Sequence, residues 1–476
     1  MKHTYLGLAI ALFLSLDGFC QQHSEQKHDK YVWPADELVK KKLAHWQDVK
    51  FGLLMHWGTY SQRGIVESWS LCPEDEGWCE RKGPTADNWY DYKKGYEMLQ
   101  TTFNPVKFNP NRWAEAAQKA GMKYVIFTTK HHDGFCMFDT KQTDYKITSS
   151  KSPFSSNPRS NVTNEILQAF RGQNFMVGTY FSKPDWHNEH YWKPYFPPKD
   201  RNVNYNPKKY PDEWAKFKDF TYNQIQELMT DYGPVDILWL DGGWVRPFSS
   251  IDSSVSWQRT IPFDQDIDMA RIAGMARQKQ PGLLVVDRTV SGEFENYVTP
   301  EQQIPDHYMP IPWETCLTMG DSWSYVPKEN FKSARRLVQT LVDVVAKNGN
   351  MLLNIAPGPD GEWHEEAYQR LAQIGNWLQV NGESIYNTKP LAPYRQEKWA
   401  FTSNGKATYA SYLPSEAESQ LPAEITLPVV PTKALTLLGS NQPLKWKKSG
   451  SSVVVTIPAK VQQQLAGQPA WVFKLT

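Results

Sequence analysis

From about residue 50 to residue 360, apolar residues gather into short runs without alternation, separated by stretches where they recur at helical spacing. Unbroken runs of this length suit strands of a parallel sheet covered on both faces, and the helical stripes between them supply the covers. The runs are Phe51 to Met55, Tyr124 to Thr129, Met176 to Phe181, Val235 to Leu240, Leu283 to Val286, Glu314 to Leu317 and Met351 to Ile355. Within Asp212 to Asp231, the residues Trp214, Phe217, Phe220, Ile225 and Leu228 form one buried helical stripe. Leu337, Leu341, Val344 and Val345 form another, on a helix that stops at Asn348-Gly349-Asn350 and feeds straight into the strand starting at Met351. A further helix is expected over Glu365 to Val380, ending at Asn381-Gly382. Strands and helices alternating in this order predict an α/β fold, either a parallel sheet or a barrel.

After about Tyr386 the period changes to two. Ala400 to Tyr412 reads as a hairpin turning at Asn404-Gly405. Ala434 to Leu438, Val453 to Ile457 and Trp471 to Leu475 add strands, which together suit a small all-β sandwich. At the other end, Met1-Lys2-His3 precedes the apolar segment Leu6 to Leu16, the charged start and short core of a secretory signal. Cleavage is expected near Cys20, with a lipid-anchored start at Cys20 as the alternative. The expected division is a signal peptide over 1–20, a lead-in over 21–45, a barrel over 46–385 and a β-sandwich over 386–476. The mature protein is expected to be exported, periplasmic or extracellular, and no other run is long enough to span a membrane.

Charge narrows the substrate. Lysine and arginine number 52 against 51 aspartates and glutamates, a balance without long-range pull toward nucleic acid or an anionic membrane. A neutral or small substrate fits better. The 20 Trp, 23 Tyr and 21 Phe are flat apolar rings with polar edges, the surfaces on which sugar faces stack, although large barrels also fill their cores with aromatics.

In a barrel, chemistry gathers where the strands end. The run Val235 to Leu240 stops at Asp241-Gly242-Gly243, a carboxylate followed by glycines that allow close approach. Asp241 is the candidate nucleophile, while Asp236 breaks the same run near its start and suits a strand-entry role. The other strands end in His56-Trp57-Gly58, in His131 and His132, in Tyr180 to Ser182, and in Asp287-Arg288, with Trp323 a little beyond the sixth. A nucleophile, several hydroxyl-gripping donors and aromatic walls are what a pocket for a polyhydroxylated ring contains. His131 and His132 would point to opposite faces if extended, and no His-x-His or His-Glu-x-x-His pair is present, so no metal site is expected. Arg288 requires an acidic or hydroxyl partner, which Asp287 could supply. A second carboxyl should come from Ser291 to Glu301, which holds Glu293, Glu295 and Glu301.

Four stretches carry a resemblance: Lys50 to Ser61, Tyr124 to Phe135, Asp236 to Trp244 and Asn348 to Ile355. In this order they resemble the α-L-fucosidases of glycoside hydrolase family 29, over most of residues 45 to 385. The resemblance implies an irregular (β/α)8-like TIM barrel followed by a small C-terminal β-sandwich, a two-step retaining mechanism, and no metal or cofactor. It places the nucleophile on Asp241 and sugar-gripping positions on His56, His131, His132, Tyr180, Trp239 and Arg288. Glu67 and Trp69, with Ser68 between them, match the family's Glu-Trp pair, and Trp323 resembles an aromatic wall against the fucose methyl. For the acid/base, Glu295 is the choice because Asn-Tyr-Val-Thr-Pro follows it, as in animal lysosomal members; Glu293 and then Glu301 are the alternatives.

The expected activity is therefore exo-hydrolysis of terminal α-L-fucosyl residues from glycans through a glycosyl-aspartate. The partner is a fucosylated oligosaccharide or glycoconjugate, with no nucleic acid and no integral membrane span. The rivals are a non-catalytic fucosylated-glycan-binding protein of the same fold, a metal-dependent barrel hydrolase, and an α-L-galactosidase-like enzyme distinguished by pocket shape near C6.

Overall fold

The computed structural model describes residues 30–74, 79–440 and 442–476. The expected signal peptide and Cys20 lie outside the described residues. Seven strands form one parallel sheet: β1 (Phe51–Met55), β2 (Tyr124–Lys130), β3 (Met176–Ser182), β4 (Ile237–Asp241), β5 (Leu284–Asp287), β6 (Trp313–Thr318) and β7 (Gly349–Asn354). Their order is β5-β4-β3-β2-β1-β7-β6. Nearly every residue in them is buried, as unbroken apolar runs require. Helices at Pro110–Lys119, Val162–Gly172, Pro211–Thr230, Met269–Lys279, Ala334–Ala346 and Glu365–Asn381 alternate with the strands. The helix Ala334–Ala346 starts on Ser333, whose side chain accepts the Arg336 N–H. It hands over to β7 through Asn348, which takes the left-handed φ of +79° that such a stop needs.

β5 and β6 do not pair with each other, so the sheet alone leaves the barrel open. Residues 294–302 fill the gap. Glu295 bridges Val286 of β5 in antiparallel sense; the chain then reverses, and Val298 and Glu301 bridge Trp313 and Cys316 of β6 in parallel sense. The backbone bonds Asn296 N–H to Val285 O (2.9 Å) and Gln302 N–H to Cys316 O (2.9 Å) stitch the segment to both neighbours. This fold-back is what makes the barrel irregular.

Inside, Leu54, Tyr124, Ile126, Met176, Ile237, Trp239, Leu284, Val286, Cys316 and Leu352 pack into one cluster. The helix Glu37–Val49 adds Val39, Leu43 and Trp46 to the same cluster, with Trp46 stacked on Tyr297 at 3.9 Å. Asp236 sits at the entry of β4, ion-paired to Lys42 (2.6 Å) and accepting the Val177 N–H (2.9 Å), so it is a structural residue, as its place in the run suggested.

The C-terminal region forms two antiparallel sheets. One, five-stranded, contains β8 (Lys389–Gln396), β9 (Trp399–Ser403), β10 (Thr408–Tyr412), β12 (Leu435–Leu437) and β15 (Trp471–Leu475); the other, three-stranded, contains β11 (Glu424–Leu427), β13 (Lys445–Ser449) and β14 (Ser452–Thr456). It docks on the barrel helices through Trp377 Nε1 to Ala470 O (3.0 Å), Gln339 to the carbonyls of Pro414 and Pro469, and the Arg395–Asp343 ion pair (2.9 Å).

Gly52 on β1 faces the Tyr124 ring so closely that a Cβ would lie 2.3 Å from it. Gly52→Ala should therefore force a displacement in the barrel interior, destabilising by about 1–3 kcal/mol, read as a lowered thermal unfolding midpoint.

Candidate active site

The C-terminal ends of the strands converge on a cavity of about 500 Å³. Of the residues singled out from sequence, His56, Glu67, Trp69, His131, His132, Trp239, Asp241, Arg288, Glu301 and Trp323 line it. Tyr180 is fully buried directly behind Asp241, and Glu293 and Glu295 are not in the wall.

Asp241 closes β4 at the cavity floor. Arg288 Nη1 donates to its Oδ1 at 2.9 Å and Tyr180 Oη donates to its Oδ2 at 2.7 Å, while His132 Nε2 stands 3.9 Å from Oδ2. Burial alone would raise its pKa, but the Arg288 guanidinium, His132 and the Tyr180 hydroxyl together hold the carboxyl well below the usual carboxylate range. Asp241 is thus an anion at neutral pH. The glycines after it are required by space: a Cβ on Gly242, at φ +85°, would lie 2.2 Å from Pro184, and one on Gly243 would lie 2.0 Å from Thr289 Oγ1.

Arg288, at the end of β5, does not pair with its neighbour Asp287. That carboxyl forms a buried ion pair with Lys183, whose backbone N–H also donates to Asp241 O. Arg288 instead spreads over the cavity wall, with Nε on Thr299 Oγ1 (3.1 Å), Nη1 on Asp241 and Nη2 on Glu301 Oε2 (2.8 Å). One guanidinium therefore grips both carboxyls, the fork geometry for which arginine is suited.

The three histidines are neutral. Burial pushes His56 down to about 4 and His132 down to about 3, and lowers His131 further below its ordinary value. Asn354 orients His56: its amide nitrogen donates to Trp323 O (2.7 Å), so its Oδ1 must accept from His56 Nδ1 (2.9 Å). That leaves His56 Nε2 as an acceptor for a ligand hydroxyl. His131 Nδ1 is anchored by Ser68 Oγ and His132 Nδ1 by Ser182 Oγ (2.8 Å). The chain has left β2 before these residues, so the two rings lie side by side, centroids 4.1 Å apart, rather than on opposite faces.

Glu67, on a backbone with φ +20°, presents a buried Oε1 that has no hydrogen-bond partner among the described residues. Burial, with Glu301 and Asp241 nearby, raises its pKa well above the ordinary carboxyl value. Trp69 packs edge-on against His132 (5.2 Å) and beside Trp244 (5.7 Å). Arg201, from the stretch Tyr191 to Tyr210 that is rich in Pro, Lys and Asn, lies over both indoles at 5.0 and 5.5 Å, which brings that loop to the cavity mouth.

For the second acid, the structure differs from the sequence expectation. Glu295 turns away from the cavity: its Oε1 accepts the Thr289 N–H at 2.9 Å, securing the turn after β5. Glu293 is exposed. Glu301, six residues on, returns to the rim because the segment reverses and rises beside β6, and it meets Arg288 there. Asn354, Ser68 and Thr299 were not singled out from sequence, although Asn354 stands at a strand end, where the rule that found Ser182 would have found it.

His131, His132 and Asp241 each offer an atom within 4.8 Å of one another, a spacing that could suit a metal ion. Asp241, however, already has one oxygen on Arg288 and the other on Tyr180, and the guanidinium repels a second cation. If Arg288 is the main group that holds Asp241 ionised, Arg288→Met leaves burial opposed only by the smaller effects of His132, Tyr180 and the Gly242 N–H, and carboxyl-carbon NMR of labelled aspartate should show Asp241 taking up its proton at a higher pH than in the wild type.

Residues 18–383 match the model of the alpha-L-fucosidase family, and residues 394–476 match that of the alpha-L-fucosidase C-terminal domain. An alpha-L-fucosidase of Branchiostoma floridae is 28% identical over 493 residues, covering 98% of this chain and 99% of its own length. A plasma alpha-L-fucosidase of Homo sapiens is 27% identical, covering 96% and 94%. The solved structure of alpha-L-fucosidase isoenzyme 1 from Paenibacillus thiaminolyticus superposes with a TM-score of 0.73 at 28% identity, covering 92% of this chain and 99% of its own. With an irregular barrel, a floor carboxylate held by arginine and tyrosine, and a family model that spans most of its length, the chain belongs to the α-L-fucosidase family.

Proposed function

We propose that this protein is a retaining exo-α-L-fucosidase in which Asp241 is the nucleophile and Glu301 the acid/base. The observation that carries the reading is the single Arg288 guanidinium bonded to both carboxyls. Both acids are thereby held on one wall of the same cavity, as a nucleophile and a proton donor must be, and a retaining enzyme brings its two carboxyls to about 5–5.5 Å in the productive complex.

Charge follows the chemistry. Before the first step Asp241 is the anion and Glu301 carries the proton. Asp241 attacks C1 of the fucoside; the C1–O bond to the leaving group breaks, and Glu301 delivers its proton to that oxygen. Asp241 has then become an ester and Glu301 a carboxylate, so Arg288 always faces one negative charge. In the second step Glu301 takes a proton from water as the water attacks C1, releasing fucose with retained configuration and regenerating Asp241. His56 Nε2 and the unpartnered Glu67 oxygen would accept or exchange hydrogen bonds with ring hydroxyls, and Trp323, 5.2 Å from the His56 ring, would wall the methyl side. Neutral histidines suit this task, since they add no cation where the oxocarbenium charge develops. The substrates are fucosylated glycans or glycoconjugates. The reading of residues 1–20 as an export signal is retained, and N-terminal sequencing of the mature protein should begin near Cys20.

NMR of the first-formed product from an aryl α-L-fucoside should show the α-anomer; a β-product would discard the retaining mechanism. Asp241→Asn should lose turnover by at least about 10³-fold, and digestion after trapping with a fluorinated fucosyl donor should find the label on the peptide holding Asp241. Glu301→Gln should lower kcat/KM for substrates with poor leaving groups by about 10²–10⁴-fold and spare it for those with good ones, whose kcat should fall with loss of the base and be restored by azide. The same profile in Glu295→Gln, with Glu301→Gln unaffected, would return the acid/base role to Glu295.

A further inference from the structure

The barrel interior beneath the site is apolar, yet it contains a carboxyl. Glu314, near the start of β6, has no exposed surface and lies among Tyr124, Trp239, Tyr297 and Cys316. A buried acid is costly unless it is satisfied, and this one is: Oε2 accepts from Tyr124 Oη at 2.6 Å and Oε1 accepts from Trp239 Nε1 at 3.2 Å. Burial pushes it up to about 8, so at neutral pH it is mostly uncharged and acts through its hydrogen bonds.

Trp239 is the connection upward. The Arg288 guanidinium lies 4.4 Å above its ring centre, and Tyr180 stacks on it at 5.2 Å with 30° between planes. These two residues are the donors that grip the oxygens of Asp241. The indole is thus a platform shared by both supports of the carboxylate, and its N–H bond to Glu314 sets how that platform is turned. Tyr124 fixes Glu314 in turn, and the missing side chain of Gly52 gives Tyr124 its space.

We infer that Glu314 is a positioning residue for the reaction, fixing Trp239 and, through it, the Arg288 and Tyr180 donors that aim Asp241 at C1. The inference rests on the reading of Asp241 as the nucleophile. Glu314 touches neither the cavity nor the reacting atoms, so its effect should appear in the rate of attack rather than in sugar affinity.

The measurement is the inactivation rate constant, kinact, with a fluorinated fucosyl donor, which reports attack by Asp241 alone, alongside thermal unfolding. Glu314→Leu, which removes the acceptor, should lower kinact by about 10- to 100-fold, the scale expected of a misplaced reacting group. Glu314→Gln, a neutral side chain that still accepts from Trp239, should recover to within a few-fold of wild type. Trp239→Phe cuts the same bond from the other end, and the double variant with Glu314→Leu should be no slower than the slower single variant. A wild-type kinact in Glu314→Leu, or additive losses in the double variant, would overturn the inference. If Glu314→Leu does not fold, Trp239→Phe combined with Glu314→Gln decides: wild-type kinact in Trp239→Phe overturns it, and a loss that Glu314→Gln does not deepen supports it. A wild-type protein that the donor never labels would refute the proposed function instead.

Discussion

A single buried guanidinium shared between two carboxyls is the constraint on which the rest of the site turns. A charge that cannot reach water needs partners, and Arg288 has Asp241, Glu301 and Thr299. Through them the guanidinium ties both carboxyls to one point of the cavity wall. The buried Lys183–Asp287 pair has a complementary effect: it satisfies the carboxyl next in sequence to Arg288 and so leaves the guanidinium to the cavity.

The placement depends on an irregular closure. The sheet itself leaves β5 and β6 unpaired with each other. Instead residues 294–302 intervene, first descending along β5 and then climbing along β6. The descent carries Glu295 into the turn around Thr289; the climb returns Glu301 to the rim.

The strands were legible because burial on both faces removes polar alternation, and the seven apolar runs fall on the seven strands with ends shifted by a residue or two. Asp241, His56, Arg288 and the paired histidines were legible for a related reason: a polar side chain at the end of such a run has little option but the rim. Glu301 and Glu295 could not be told apart in that way. Both sit in the same short polar stretch, and what separates them is the pairing of the closing segment with β5 on one side and β6 on the other, a long-range register that local composition does not encode. Asp287 misled for a similar reason, since its partner Lys183 lies 104 residues away. Glu314 left a signal that was passed over: an acid heading an otherwise apolar, doubly covered strand needs donors from inside the barrel.

The two carboxyls that Arg288 grips are held by backbone of unequal rigidity. Asp241 ends a strand hydrogen-bonded on both sides, so little can move it without dismantling the sheet. Glu301 rides on a connector tied by isolated bridges, where insertions and substitutions leave the seven main strands untouched. Divergence around the rim acid can thus proceed by rewriting that connector while the strand that carries Asp241 stays fixed, a modular route to change within an unchanged scaffold.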